Sequence, residues 1–230
     1  MIGTIVNTCT ICGGSILGSI IKKGLKQKYQ DVLFTAMGLT ATALGIYAVV
    51  SHMPESRFPV LFIVSLAIGG IFGTWLDLDG KFQKLVARFS NGNLGEGLAT
   101  GVLLYCIGTL SILGPVMSAL YGDETYLFTN ATLDLVTSMV LASTYGFGMI
   151  FAAPILFCWQ SLFYLLAKYV CTAFFTGDAL TDLITELSIV GGILIASSGI
   201  GILKIKDCKT LNLLPALLVP IIFIAVRGIV

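Results

Sequence analysis

Asn130, Asp134 and Ser138 recur every four residues, with Thr137 beside them, inside an otherwise apolar stretch over residues 127–144, so they share one face of a helix. An ionisable side chain at membrane depth costs several kcal/mol unless it meets protein, water or a bound cation. Carboxylate, amide and hydroxyl oxygens suit a hard cation, Na⁺ or a divalent metal such as Mn²⁺, better than a soft one. Asp134 is the candidate metal ligand and the centre of a cation or small-solute pathway, at which protons and cations compete. The alternative use of the same stripe is packing, in which Asp134 hydrogen-bonds a neighbouring helix or caps a broken one.

Other polar residues are placed to join that pathway. Ser111 lies just before Gly114-Pro115, where a proline inside a helix frees a carbonyl oxygen. Glu96 starts the same apolar stretch, Gln160 is in the middle of a later one, and Glu186 is just inside the end of another. Asn7 and Asn212 offer amide oxygens, or simple helix-to-helix hydrogen bonds. Lys168, near a span end, is expected to snorkel, and His52 to be a solvated loop residue.

Enzymatic chemistry finds less support. There is no HExxH or GxSxG pattern, and the single histidine lies outside the spans, so no catalytic residue is assigned and an intramembrane enzyme is the weaker reading. The glycines near Asn91 lack the Lys-Ser/Thr of a phosphate loop, and no cofactor is expected. Cys9 and Cys12 have CxxC spacing, but in a lipid-embedded helix they read as small packing residues.

The elements that must hold these residues are transmembrane helices. Hydrophobic residues make up 57% of the chain, charged ones only 11%, and the mean hydropathy is +0.98, which leaves too little charge to solvate a water-soluble fold of 230 residues. Windows of about twenty residues, enough to cross a hydrocarbon core, fall at 2–21, 32–50, 58–76, 95–120, 127–144, 148–170, 183–203 and 211–226. The expected fold is an all-α bundle of about eight spans forming one integral membrane domain over 1–230, with span four broken at Gly114-Pro115. Spans five and six are divided at Gly146 and Gly148.

Charge sets the orientation. Lys22, Lys23, Lys26 and Lys28 follow span one, Lys81, Lys84 and Arg88 follow span three, and Lys204, Lys206 and Lys209 follow span seven. Basic loops stay in the cytoplasm, so both termini are expected outside, and no basic residue precedes span one as in a cleaved signal. Gly38 and Gly45 share their spacing with Gly192 and Gly199, which suggests an inverted repeat between spans two and seven, or chance recurrence in a chain with 26 glycines. Gly14 with Gly18, and Gly69, Gly70 and Gly73, allow close helix contact and hence packing within the bundle or a homo-oligomer, a dimer first.

Gly3 and Asn7 with Gly13, Gly14 and Gly18, the 69–80 segment, Leu133 to Ser138 with Ala142 to Gly148, and Asn212 to Ala216 together resemble the YqgA/YdfK-like family of prokaryotic multi-spanning membrane proteins. The resemblance covers essentially the whole chain. It implies a bacterial cytoplasmic membrane protein and supplies no substrate or catalytic residue. The function expected from the residues is a transporter or channel for a small cation or solute, with the bilayer as partner and no nucleic acid. A structural or regulatory membrane component is the alternative.

Overall fold

Backbone in lipid must satisfy its own hydrogen bonds, and helices do so within one segment. The computed structural model describes residues 1–21, 26–87, 98, 101–102, 104–106, 110–171, 175 and 177–229, and among them every regular element is helical. In chain order the helices are α1 (Ile2–Ile20), α2 (Gln27–His52), α3 (Leu61–Leu76), α4 (Leu78–Ala87), α5 (Leu110–Tyr121) and α6 (Thr125–Tyr145). They continue as α7 (Ala152–Leu165), α8 (Asp178–Ile202), α9 (Thr210–Leu213) and α10 (Leu218–Ile229).

Among the described residues, five helical stretches are long and apolar enough to cross a membrane: Ile2–Ile20, Asp31–Glu55, Phe147–Tyr169, Asp178–Ile202 and Thr210–Arg227. A sixth is α3 with α4, taken as one span bent by 41°. Of the eight spans expected, the fourth falls partly outside the described residues, and α6 has the length but is too polar to rank with the five.

The chain divides into two compact units, Met1–Ala36 with Phe82–Lys168, and Met37–Lys81 with Tyr169–Val230. In the first, α1 and α6 run parallel in close contact. A Cβ at Gly3 would meet Leu127, one at Gly14 would meet Ser138 and the Leu135 carbonyl, and one at Gly18 would meet Met139 and Ala142. Both partners thus advance in step along the chain. Ile11, Tyr105, Cys106, Leu141, Met149 and Leu156 form the apolar core of this unit.

In the second unit α2 and α8 pack antiparallel, Gly38 on Gly199 and Gly45 on Gly192. The matching seven-residue spacings follow from this contact, because two helices crossing antiparallel must place their gaps at the same intervals. Likewise Gly69 abuts Ala216 and Gly73 abuts Asn212, so α3 lies antiparallel to α9 and the 3₁₀ turn Leu214–Leu217 that follows it. Gly14, Gly18, Gly69 and Gly73 are therefore spent on contacts within the chain.

The break expected at Pro115 does not occur. α5 runs through Gly114 and Pro115, so the expected interruption of span four is absent there, although the missing N–H of Pro115 still leaves the Ser111 carbonyl without its helical donor. The chain bends instead at Asp77, in the left-handed region at φ 48°, which Asp tolerates better than most residues. Its side chain then accepts from Gly80 N–H and starts α4. The last span is interrupted at Leu214–Leu217, around Pro215. Span seven also begins five residues earlier than hydropathy indicated, bringing Asp178 and Asp182 into α8.

Candidate functional site

The stripe on α6 faces inward. Asn130, Asp134, Thr137 and Ser138 are all buried, Asp134 with 5% of its surface exposed. Asp134 is the tenth of 21 residues, so it lies near the middle of the helix, about 13 Å along the axis from Thr125. A polar face at that depth has to be covered by protein, and α1 covers it with its own face of buried Thr4, Asn7, Ile11, Gly14 and Ser15.

Asn130 organises the centre. Its Nδ2 donates to Asp134 Oδ2 and to Ser111 Oγ, both at 2.9 Å, which uses both amide protons. Ser111 Oγ in turn donates to the Tyr105 carbonyl. A chain of hydrogen bonds therefore runs from the carboxylate on α6 through α5 to the backbone before it. Thr137 and Ser138 donate to the carbonyls of Leu133 and Leu135 on their own helix, so the Ser138 oxygen is left to accept. It occupies the space that a Cβ at Gly14 would fill.

Around this chain, several buried polar atoms have no hydrogen-bond partner among the described residues. Asn7 Nδ2, Thr4 Oγ1, Ser15 Oγ and the Tyr105 hydroxyl are such atoms. Asn7 lies within hydrogen-bonding range of Asp134, and Tyr105 of Ser138, though neither contact has good hydrogen-bond geometry, and Tyr105 also lies in the field of Asp134. Buried polar groups are rarely left unpaired in a folded protein. Of these, Asn7 and Tyr105 lie beside the carboxylate, while Thr4 and Ser15 lie further along α1 in either direction, so the polar face has capacity to accept a polar guest.

Gln160 on α7 extends the pattern: it is fully buried and neither amide atom has a partner. The first unit thus holds Asn7, Ser111, Asn130, Asp134, Thr137, Ser138 and Gln160 of the residues proposed from sequence. Glu186 and Asn212 belong to the second unit. Asn212 Oδ1 accepts from Asp79 N–H at 2.9 Å, so the amide caps the start of α4 at the bend. Glu96 lies outside the described residues.

Sequence reasoning missed Tyr105, Thr4 and Ser15. Thr4 and Ser15 were detectable, because they share the helical face of Asn7. Tyr105 had no such signal, since an aromatic residue in an apolar run reads as core. Lys168 stacks over Tyr164, with Nζ 5.8 Å from the ring centroid. His52 is half-buried, with Nδ1 2.8 Å from the Ala48 carbonyl oxygen at the end of α2. As a metal site the cluster supplies one carboxylate, and no group of three His, Cys, Asp or Glu residues placed to hold a metal occurs among the described residues.

A family model described as "Protein of unknown function (DUF554)" matches residues 2–225. The chain is 58% identical over 226 residues to the "Uncharacterized membrane protein YdfK" of Bacillus subtilis (strain 168), an alignment covering 98% of this chain and 96% of the relative. It is 23% identical over 230 residues to the "Uncharacterized protein YqgA" of Escherichia coli (strain K12), covering 95% and 94% respectively. No solved structure matches it.

Proposed function

We infer the function from the site, because the chain belongs to the DUF554 family and the family description names no activity. The protein is a membrane protein, and the polar cluster of its first unit is the binding site of a transporter or channel for a small cation or small solute. The observation that carries this reading is the buried Asp134 carboxylate on the polar face of α6, with the Tyr105 hydroxyl beside it and the Thr4 and Ser15 hydroxyls along α1 buried without a hydrogen-bond partner among the described residues. A network meant only for packing would close its hydrogen bonds. One carboxylate with neutral oxygen donors favours a singly charged cation over a divalent metal, which draws more anionic ligands.

Flux into proteoliposomes tests this reading. Parent protein should take up or release a monovalent cation down its gradient, and Asp134→Asn should not. If no cation or small polar solute in a broad panel moves or binds, the transport reading fails.

A second reading has an observation of its own. Asn130 closes a continuous chain from Asp134 to the Tyr105 carbonyl, and this part of the cluster is complete without a guest. On that reading the protein is a structural or regulatory membrane component and Asp134 locks α5 to α6. Neither reading assigns the chain a chemical reaction.

The charge bias supports a multi-pass arrangement of eight spans in the bacterial cytoplasmic membrane with both termini outside. We also place self-association, expected from the glycine pairs, on other surfaces, since those glycines are occupied within the chain.

A further inference from the structure

The second unit holds a buried carboxylate that the first unit's site does not use. Asp178, Asp182 and Glu186 follow one another at four-residue intervals along α8, so they form a ladder on one face, from the helix end inward. Asp178 and Asp182 are matched by arginines. Arg57 Nη2 lies 3.5 Å from Asp178 Oδ2, Arg57 Nη1 lies 3.4 Å from Asp182 Oδ2, and Arg227 Nη1 lies 3.6 Å from the same oxygen. Arg227 also rests on the Phe58 ring, 4.8 Å from its centroid, which holds α10 against the loop carrying Arg57.

Glu186 is one turn deeper and has only 1% of its surface exposed. Arg57 and Arg227 face the two carboxylates above it, and no ion pair to Glu186 itself occurs among the described residues. Ser56 Oγ donates to Glu186 Oε1, and the Phe58 N–H donates to Ser56 Oγ at 3.1 Å. The serine proton is thereby aimed at the carboxylate and its lone pair is engaged by the backbone. Glu186 Oε2 is buried with no partner of good hydrogen-bond geometry among the described residues, although the Phe58 N–H lies within reach of the carboxylate.

These contacts point to a definite ligand, and we propose that Glu186 is a proton-binding site, independent of the Asp134 site, that exchanges with the aqueous phase at the end of the second unit carrying Arg57. Oε1 acts as the carbonyl that accepts from Ser56, and a proton drawn from water adds to Oε2. A hydronium O–H bond breaks as the Oε2–H bond forms, leaving a water molecule, and release is the reverse. A metal ion is a poor occupant, because one carboxylate beside a hydroxyl whose hydrogen points at it offers too few lone pairs. The charged and titratable groups near the site are Asp178 and Asp182 of α8, Arg57 of the loop, Arg227 of α10 and the half-buried His52 at the end of α2, which packs on α8; Glu55 is exposed. α3 contributes no charge.

Infrared difference spectroscopy of the full chain in lipid nanodiscs reads a protonated carboxyl directly by its C=O stretch. We expect a band that appears as pH falls, is lost in Glu186→Gln and is retained in Asp134→Asn. Ser56→Ala removes one hydrogen bond to the carbonyl oxygen and should move that band to higher frequency, which keeps the test decisive if Glu186→Gln folds poorly. The proposal is overturned if no carboxyl band titrates. It is equally overturned if the band survives Glu186→Gln, or is unmoved by Ser56→Ala.

Discussion

Gly45 and Gly192 face each other across the contact of α2 with α8 so closely that a Cβ on Gly192 would lie 2.8 Å from the Gly45 carbonyl oxygen. Gly38 and Gly199 repeat the arrangement two turns away, with a Cβ on Gly199 placed 2.7 Å from the Gly38 carbonyl oxygen. Both collisions are with backbone, which cannot swing aside as a side chain can. Without a hydrophobic force between helices in lipid, this close approach is a main source of their attraction.

Gly45→Ala should therefore destabilise the second unit by about 1–3 kcal/mol, the range for overpacking a tight contact. The measurement is thermal unfolding in mild detergent. Ala at Gly13, where added volume meets nothing within 4 Å, is the control and should leave the midpoint unchanged.

Asn130→Ala removes the donor to Asp134 and to Ser111 together. Leaving a buried carboxylate oxygen without its donor costs about 1–3 kcal/mol, so stability should fall by that amount. Cation binding, followed by isothermal titration in nanodiscs, should weaken roughly tenfold, the equivalent of about 1.4 kcal/mol.

Asp134→Asn keeps the shape of the side chain and removes its charge. Expression and monodispersity should be preserved while cation-dependent binding or flux disappears. A variant that folds normally and still transports as the parent does would make Asp134 a packing residue.

Asn212→Leu deprives the Asp79 N–H of its acceptor at the bend between α3 and α4. Loss of a cap of this kind costs about 0.5–2 kcal/mol. Hydrogen exchange should show faster opening of α4 with little change in α1 or α6.

Cysteines introduced singly into a thiol-free background test the orientation. Positions beside Lys26, Lys81 and Lys206 should resist an impermeant reagent applied from outside, and positions beside Asp123 should react. Labelling beside Lys206 from outside would overturn the topology.

Hydropathy located the five long apolar helices and the bent pair α3 with α4, because an apolar face is a property of one segment. The stripe of Asn130, Asp134 and Ser138 was legible for the same reason: its four-residue period belongs to α6 alone. What covers it was not legible. The contact with α1 joins residues more than a hundred positions apart, and nothing in the periodicity of either helix names its neighbour. Nor does periodicity display the division of the candidates into two units, Glu186 and Asn212 in the second and the α6 stripe in the first. Pro115 misled because one missing hydrogen bond did not interrupt α5, whereas Asp77 bends the chain with no proline at all.

The parallel pairing of α1 with α6 has a bearing on how the chain is made. α6 carries a carboxylate at its midpoint and falls short of the hydropathy of the other long helices, so alone it is a poor candidate for release from the insertion machinery into lipid. Its polar face is housed against Thr4, Asn7 and Ser15 of α1, which leaves the ribosome more than a hundred residues earlier. A helix that can be accommodated only beside α1 can be accommodated only once α1 is in place. A segment synthesised much earlier is thus the docking template for the least lipid-compatible one, and damage to the α1 face should appear first as failed biogenesis of α6.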